Sequence, residues 1–159
     1  MNPYAAPGTL PARGAEDDIA DATPPLLARV AGGVVALAGA VVALTGAQTL
    51  LFVTIRGPAA MAPYVLVALG VPEIVLGTLI FRARAWAALI AIGGTILSSL
   101  ASAAWLVFSV GHYLFSLYAL MAPVFAVSSL VFAILALGPC QRASAARARL
   151  RAQGLNLGI

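Results

Sequence analysis

The fold is decided by the stretch VAGGVVALAGAVVALTGAQTLLFVTI, residues 30–55, which carries no charged side chain. As an α-helix rising about 1.5 Å per residue, this stretch is longer than the roughly 30 Å hydrocarbon core of a bilayer. Three more apolar stretches follow at residues 63–81, 86–110 and 114–137. Because lipid cannot hydrogen-bond to a bare backbone, each stretch is expected to form a transmembrane helix. The sequence therefore predicts an all-α membrane protein with four spans.

The composition agrees with a membrane location. The 159 residues are 62% hydrophobic and 9% charged, whereas a soluble domain is about 45–50% apolar and 25% charged. These values exclude a water-soluble domain and a disordered chain. A single cysteine, Cys140, excludes a disulfide framework.

The links between the apolar stretches are short, so consecutive helices are expected to be antiparallel neighbours in an up-down bundle of four transmembrane helices. Arginine predicts the orientation, because cytoplasmic loops carry an excess of positive charge. One arginine, Arg56, falls on one side of this topology, and the other eight fall on the opposite side: Arg13, Arg29, Arg82, Arg84, Arg142, Arg147, Arg149 and Arg151. Both termini are therefore expected in the cytoplasm.

Three parts of the chain follow from this topology. Residues 1–25, rich in proline and acidic residues, are expected to be a flexible cytoplasmic tail. Residues 26–138 form the transmembrane domain, and residues 139–159 form a basic cytoplasmic tail. The first apolar stretch is longer than the apolar region of a signal peptide, so we expect it to be retained. The chain is rich in alanine and has no lysine, a usage typical of GC-rich bacteria, so we expect a bacterial cytoplasmic (inner) membrane.

Small residues recur along the first predicted helix at alternating spacings of four and three. They are Gly32, Ala36, Gly39, Ala43 and Gly46. Such a groove lets another backbone approach closely, and close packing drives helix association in lipid. We expect the second or fourth helix of the same bundle to fill it; the alternative is a second copy or another membrane protein.

One ionisable residue, Glu73, lies within a predicted span, next to Pro72 and near the middle of the membrane. Because a charge there costs roughly 2.5–3.5 kcal/mol on insertion scales, an intramembrane acid indicates a functional site. The carboxyl is expected to face the bundle interior. It is a protonated group held by hydrogen bonds, a carboxylate that exchanges a proton or cation, or the partner of a basic residue on another protein. The polar side chains expected at its depth are Thr45, Gln48, Thr95, Ser98, Ser128 and Ser129.

Two further patterns predict contacts with the membrane surface. The C-terminal tail contains Arg142, Arg147, Arg149 and Arg151. We expect them to contact anionic lipid headgroups, at about 1 kcal/mol for each arginine. Trp86 and Trp105, both in the third helix, are expected at the two membrane interfaces, where aromatic rings concentrate.

The sequence carries no recognisable catalytic motif, since it lacks paired carboxylates, a phosphate-binding loop and a metal-ligand cluster around its one histidine, His112. We therefore expect no enzymatic activity, cofactor or metal. The arginines are separated by apolar runs rather than clustered on one polar face, so nucleic acid is not an expected partner. The leading hypothesis is an accessory or scaffold component of a membrane complex, with the lipid bilayer and another membrane protein or a second copy as partners. The alternative is a small proton- or cation-coupled transporter or channel that uses Glu73.

Overall fold

The computed structural model describes residues 13–52, 58–111 and 117–155 of the chain. These residues are helical apart from short links. The helices are α1 (Arg13–Ala22), α2 (Leu26–Phe52), α3 (Ala62–Phe81), α4 (Ala85–Gly111) and α5 (Leu117–Ala152), with a 3₁₀ turn (Pro58–Met61) before α3. Four helices are long and apolar enough to span a membrane. The predicted all-helical chain with four apolar helices is therefore confirmed.

The long helices pack as a bundle. Helix α2 lies against α3 and α5, and α4 lies against the same two helices, whereas α2 and α4 scarcely touch. The apolar interior has two layers. One, which includes Val35, Ile80 and Ala136, lies at the end of the bundle that holds the link between α3 and α4, and this end is called the turn end below. The other layer contains Leu66 and Trp105 and lies at the opposite end, called the far end.

Backbone hydrogen bonds end α3 sharply at residues 82–84. The Ala83 N–H donates to the Ile80 carbonyl at 2.7 Å, and the Arg84 N–H donates to the Leu79 carbonyl at 3.1 Å. This pairing is the Schellman motif, which places one residue in the left-handed region. Ala83 takes that position with φ 53°. The tight turn brings α4 back beside α3.

Within residues 1–25, the structure departs from the predicted flexible tail. Residues 13–22 form α1, and Ile19 and Ala22 pack against Ala146 and Leu150 of α5. The Thr23 hydroxyl donates to the Ala20 carbonyl at 2.7 Å where α1 ends. Contact with α5 buries apolar side chains of this segment, although its composition alone predicts an exposed tail. Residues 1–12 lie outside the described residues.

Helix α5 continues well past the predicted boundary between residues 138 and 139. It is 36 residues long and contains Pro139 in its interior. A proline removes one backbone hydrogen bond and normally kinks or ends a helix. Here the residues that follow are held by tertiary contacts, because Cys140, Ala143 and Leu150 are buried. The basic segment is therefore part of the last bundle helix.

The two tryptophans lie in different environments. Trp86 is 52% exposed, whereas Trp105 is only 4% exposed. The Trp105 ring lies in the apolar layer at the far end, with alanines as neighbours, and stacks on Phe108 with ring centroids 5.3 Å apart. Trp105 is thus buried among small side chains rather than exposed on the bundle surface, and its depth at the membrane interface stays a prediction.

Candidate functional site

The glycines of α2 bring its backbone into direct contact with α3. A Cβ added at Gly39 would lie 2.6 Å from the Gly70 carbonyl oxygen. At Gly32 the same addition would lie 2.5 Å from the Gly77 carbonyl oxygen. Contacts this short are almost never seen for a real Cβ, so only glycine fits at these positions.

All five small residues predicted on α2 take part in this contact or border it. Ala43 lies against Gly70, and Ala36 lies against Gly77. At the far end, a Cβ on Gly46 would lie 2.5 Å from the Pro63 carbonyl oxygen. The structure thus places the groove, formed by Gly32, Ala36, Gly39, Ala43 and Gly46, against α3. Helix α3 corresponds to the second predicted transmembrane helix, residues 63–81.

The complementary residues on α3 were missed at the level of sequence. Pro63, Gly70 and Gly77 are spaced seven residues apart, as are Gly32, Gly39 and Gly46 on α2. A shared period of seven keeps two helices in contact along their length. This matching period was the signal that could have identified α3 as the partner.

Glu73 lies in the bundle interior beside the α2–α3 contact. Its side chain is 1% exposed. A Cβ added at Gly39 would lie 2.7 Å from the Cβ of Glu73, so the absence of a side chain at residue 39 makes room for the acid. Pro72, the preceding residue, is exposed on the outer surface of the continuous helix α3. The inward orientation argues against direct pairing of Glu73 with an arginine or lysine of another protein.

Across from the acid lies Ser98 of α4, whose hydroxyl faces the Glu73 carboxyl. The two groups nevertheless do not meet at hydrogen-bonding geometry. Both carboxyl oxygens of Glu73 and the Ser98 Oγ are buried without a hydrogen-bond partner in the part of the chain that the structure describes. An unsatisfied buried polar group costs about 1–3 kcal/mol, and more if it is charged. The pair is therefore a polar site that a proton, a water molecule or a small cation could complete.

The other polar residues predicted around Glu73 do not satisfy it. Their hydroxyls donate to carbonyls of their own helices: Thr45 to Val41 at 2.8 Å, Thr95 to Ile92 at 3.1 Å, Ser128 to Val124 at 2.8 Å and Ser129 to Ala126 at 2.8 Å. Gln48 is half-buried on α2. Serine and threonine within helices commonly form such bonds one turn back, which explains the difference from the prediction. The predicted hydrogen bonds from this set to Glu73 are absent among the described residues.

A second cluster, which sequence reasoning missed, centres on Arg147 at the turn end. Its guanidinium donates three hydrogen bonds to backbone carbonyls: Nε to Ala22 at 3.0 Å, Nη1 to Ala83 at 3.3 Å and Nη2 to Arg82 at 3.1 Å. Ala22 ends α1, and the other two residues follow the end of α3. Helix C-termini leave carbonyls unpaired and carry partial negative charge, so a cation is favourable there. Arg147 therefore joins α1, the α3–α4 turn and α5.

This role corrects the lipid contact predicted for Arg147. The residue is 7% exposed, and its donors point into the protein. The other three predicted arginines remain exposed. Arg149 forms a 2.9 Å salt bridge with Asp18 of α1, and Arg142 lines a cavity of about 210 Å³ together with Asp21. Anionic lipid contact thus remains a prediction for Arg142, Arg149 and Arg151.

The described residues contain no group of three or more His, Cys, Asp or Glu side chains that could hold a metal ion. Cys140 is a buried free thiol, and His112 lies outside the described residues. No family model, curated protein or solved structure matches the chain.

Proposed function

We propose that the protein is a four-span component of a bacterial inner membrane, an up-down bundle with both termini in the cytoplasm. The four long apolar helices support the spans. The orientation is supported by the arginines, because Arg147 of the C-terminal segment binds the carbonyls of Arg82 and Ala22. These contacts gather three arginine-bearing segments at one end of the bundle. The positive-inside rule places that end in the cytoplasm.

The orientation can be tested by cysteine labelling in intact cells, after Cys140 is replaced by alanine. A cysteine at Ala59 is expected to react with a membrane-impermeant maleimide, whereas one at Leu155 is expected to react only after the cells are opened. Labelling of Leu155→Cys in intact cells would contradict the proposed topology.

Within this topology, we propose an accessory or scaffold role in a membrane complex. The observation that carries it is the Arg147 cluster. Its three hydrogen bonds tie α1 to the bundle and form an ordered layer at the turn end. That layer exposes charges of both signs, including Asp17, Asp21 and Arg151. An ordered polar surface outside the lipid is suited to specific contacts with a partner protein, since polar rims give interfaces their specificity.

The role can be tested by purification from the native membrane in a mild detergent. The wild type is expected to co-purify with a defined membrane protein in constant ratio. Arg147→Met should weaken that association by releasing α1, whereas Arg29→Gln, which changes an exposed arginine on α2, should not. Co-purification that is identical for wild type and Arg147→Met would contradict a role for this layer.

A second candidate is a proton- or cation-coupled transporter or channel, acting as a dimer, with Glu73 as the exchanging group. The observation that favours it is a set of three buried oxygens, the two of the Glu73 carboxyl and the Ser98 Oγ. None of them has a hydrogen-bond partner among the described residues. Such a site can gain or lose a proton or a small cation without first breaking protein hydrogen bonds.

Proteoliposomes that contain a pH-sensitive dye distinguish this candidate from the accessory role. A transporter should move protons or exchange cations on its own, and Glu73→Gln should abolish that flux while the helix content remains unchanged. Ser109→Ala is the matched control, because Ser109 is also buried without a hydrogen-bond partner among the described residues but belongs to the far part of α4. Equal flux from wild type, Glu73→Gln and empty vesicles would rule the candidate out.

A further inference from the structure

A groove opens on the outer surface of the bundle between α2 and α3, close to the turn end. Its volume is about 310 Å³, and its walls include Gly33 and Ala36 of α2, Thr78 and Phe81 of α3, and Arg82, which follows α3. The groove exists because the two backbones touch at Gly32 and Gly77 while the next residue outward, Gly33, has no side chain to cover the contact. A Cβ added at Gly33 would meet nothing within 4 Å.

The groove, hereafter the α2–α3 groove, has a charged end and an apolar end. Arg82 lies at the end nearest the α3–α4 turn, and Ala36 lies one helical turn deeper along α2 than Gly33. Arg29 is exposed on α2 and lies one turn before Gly33 on the same face, because residues four apart share a helix face. The groove thus runs from Arg82 toward the apolar span, and Arg29 lies one helical turn beyond its lining residues.

Arg82 and the neighbouring Arg29 form no ion pair among the residues that the structure describes. By sequence, the acidic residues outside the spans are Glu16, Asp17, Asp18 and Asp21. All four belong to α1, which packs against α5. Asp18 is already paired with Arg149. Both guanidiniums are therefore available to an anionic ligand.

We propose that the α2–α3 groove binds a phospholipid with an anionic headgroup, drawn from the leaflet at the turn end. The phosphate lies against Arg82 and Arg29, and an acyl chain lies over Gly33 and Ala36. The orientation matches that of a bilayer lipid, whose charged head is at the surface and whose tail points to the midplane. A guanidinium is well suited to phosphate, since it offers several donors in a planar arrangement. The inference rests on the proposed membrane location and is independent of the accessory role.

Native mass spectrometry can test the proposal on the full-length protein. The protein is reconstituted with equal amounts of phosphatidylglycerol and phosphatidylcholine of the same chain length, and the lipids retained after gentle activation are counted. The wild type is expected to retain phosphatidylglycerol preferentially. Arg82→Gln should reduce that preference about fivefold, since one cation near an anionic surface gives an effect of this size. Gly33→Leu should reduce the retention of both lipids by filling the groove.

Two matched variants control for nonspecific effects. Gly93→Leu adds the same side chain at another exposed glycine where a Cβ meets nothing within 4 Å, and Arg84→Gln removes a half-buried arginine of the same turn that does not line the groove. Both should retain lipid as the wild type does. Circular dichroism verifies that the helix content is equal in all variants.

Three outcomes would overturn the proposal: no preference for phosphatidylglycerol in the wild type, wild-type retention in both Arg82→Gln and Gly33→Leu, or equal losses in the controls. A change from dimer to monomer in Gly33→Leu with unchanged lipid retention would also overturn it and would identify a second copy as the occupant. Failure of the topology labelling would instead contradict the proposed membrane arrangement, so the two failures are distinguishable.

Discussion

The contact between α2 and α3 makes Gly39→Ala the most informative substitution in this protein. The new methyl group would lie 2.6 Å from the Gly70 carbonyl oxygen, 2.7 Å from the Glu73 Cβ and 2.9 Å from the Ile74 nitrogen. Ordinary van der Waals contacts begin near 3.4 Å, so the closest approach is about 0.8 Å too short. Two of the three atoms belong to the α3 backbone and cannot rotate away. Relief of the clash therefore requires the helices to separate.

The expected free-energy change has two opposing parts. Overpacking of a close contact typically costs about 1–3 kcal/mol. Replacing glycine by alanine in a helix recovers roughly 0.5–1 kcal/mol, because the unfolded chain loses freedom. Gly33→Ala has the gain from replacing glycine by alanine without the clash, since a Cβ at residue 33 meets nothing within 4 Å. The difference in unfolding free energy between the two variants should therefore equal the clash, about 1–3 kcal/mol.

Reversible unfolding in mixed micelles of a mild detergent and dodecyl sulfate, followed by circular dichroism, measures this difference. Gly39→Ala is expected to unfold at a lower fraction of dodecyl sulfate than the wild type, and Gly33→Ala at an equal or higher fraction. Coincident unfolding curves for the two variants would refute the argument that residue 39 fits only glycine.

Two further substitutions test the buried polar groups. Arg147→Met removes three hydrogen bonds to backbone carbonyls and should lower the free energy of unfolding by about 2–4 kcal/mol, which is less than the sum of the three bonds because the carbonyls can regain water. Hydrogen exchange of the α1 amides should be faster than in the control Arg151→Met. Equal protection of α1 in both variants would contradict this prediction. Glu73→Met replaces a buried carboxyl that has no hydrogen-bond partner in the described part of the chain by an apolar side chain of similar size. Micelle unfolding should therefore show a gain of about 1–3 kcal/mol in the free energy of unfolding. A loss of stability would contradict this and indicate that a bound proton or cation satisfies the carboxyl.

Glu73 shows how far local reasoning reaches in a membrane chain. Its burial follows from its position in an apolar span, because a carboxyl costs less inside a bundle than in lipid. Its neighbours do not follow in the same way. Thr95 and Ser128 lie at a suitable depth along their helices, yet each hydroxyl bonds a carbonyl one turn back. Depth along a helix is fixed by sequence, whereas the direction and hydrogen bonding of each side chain depend on how the helices rotate against one another.

The same distinction applies to the ends of the bundle. Arg142, Arg147 and Arg151 are equivalent in sequence, each following an apolar span in an alanine-rich segment. Only Arg147 is buried, because α5 passes beside the last carbonyls of α1 and the α3–α4 turn at that residue. The continuation of α5 through Pro139 and the formation of α1 depend on that same contact between two segments far apart in the chain.

The sequence by itself determined the four long apolar helices, the inward position of Glu73 and the small-residue groove on α2. Each of these follows from a local cost: an unpaired backbone or a charge in lipid, or the size of a side chain at a repeated position. Only the tertiary structure decided that α3 fills the groove, that Ser98 faces Glu73, and that Arg147 joins α1 to the turn end. Those outcomes depend on which faces of separate helices meet, and that choice is made by the packing of the whole bundle.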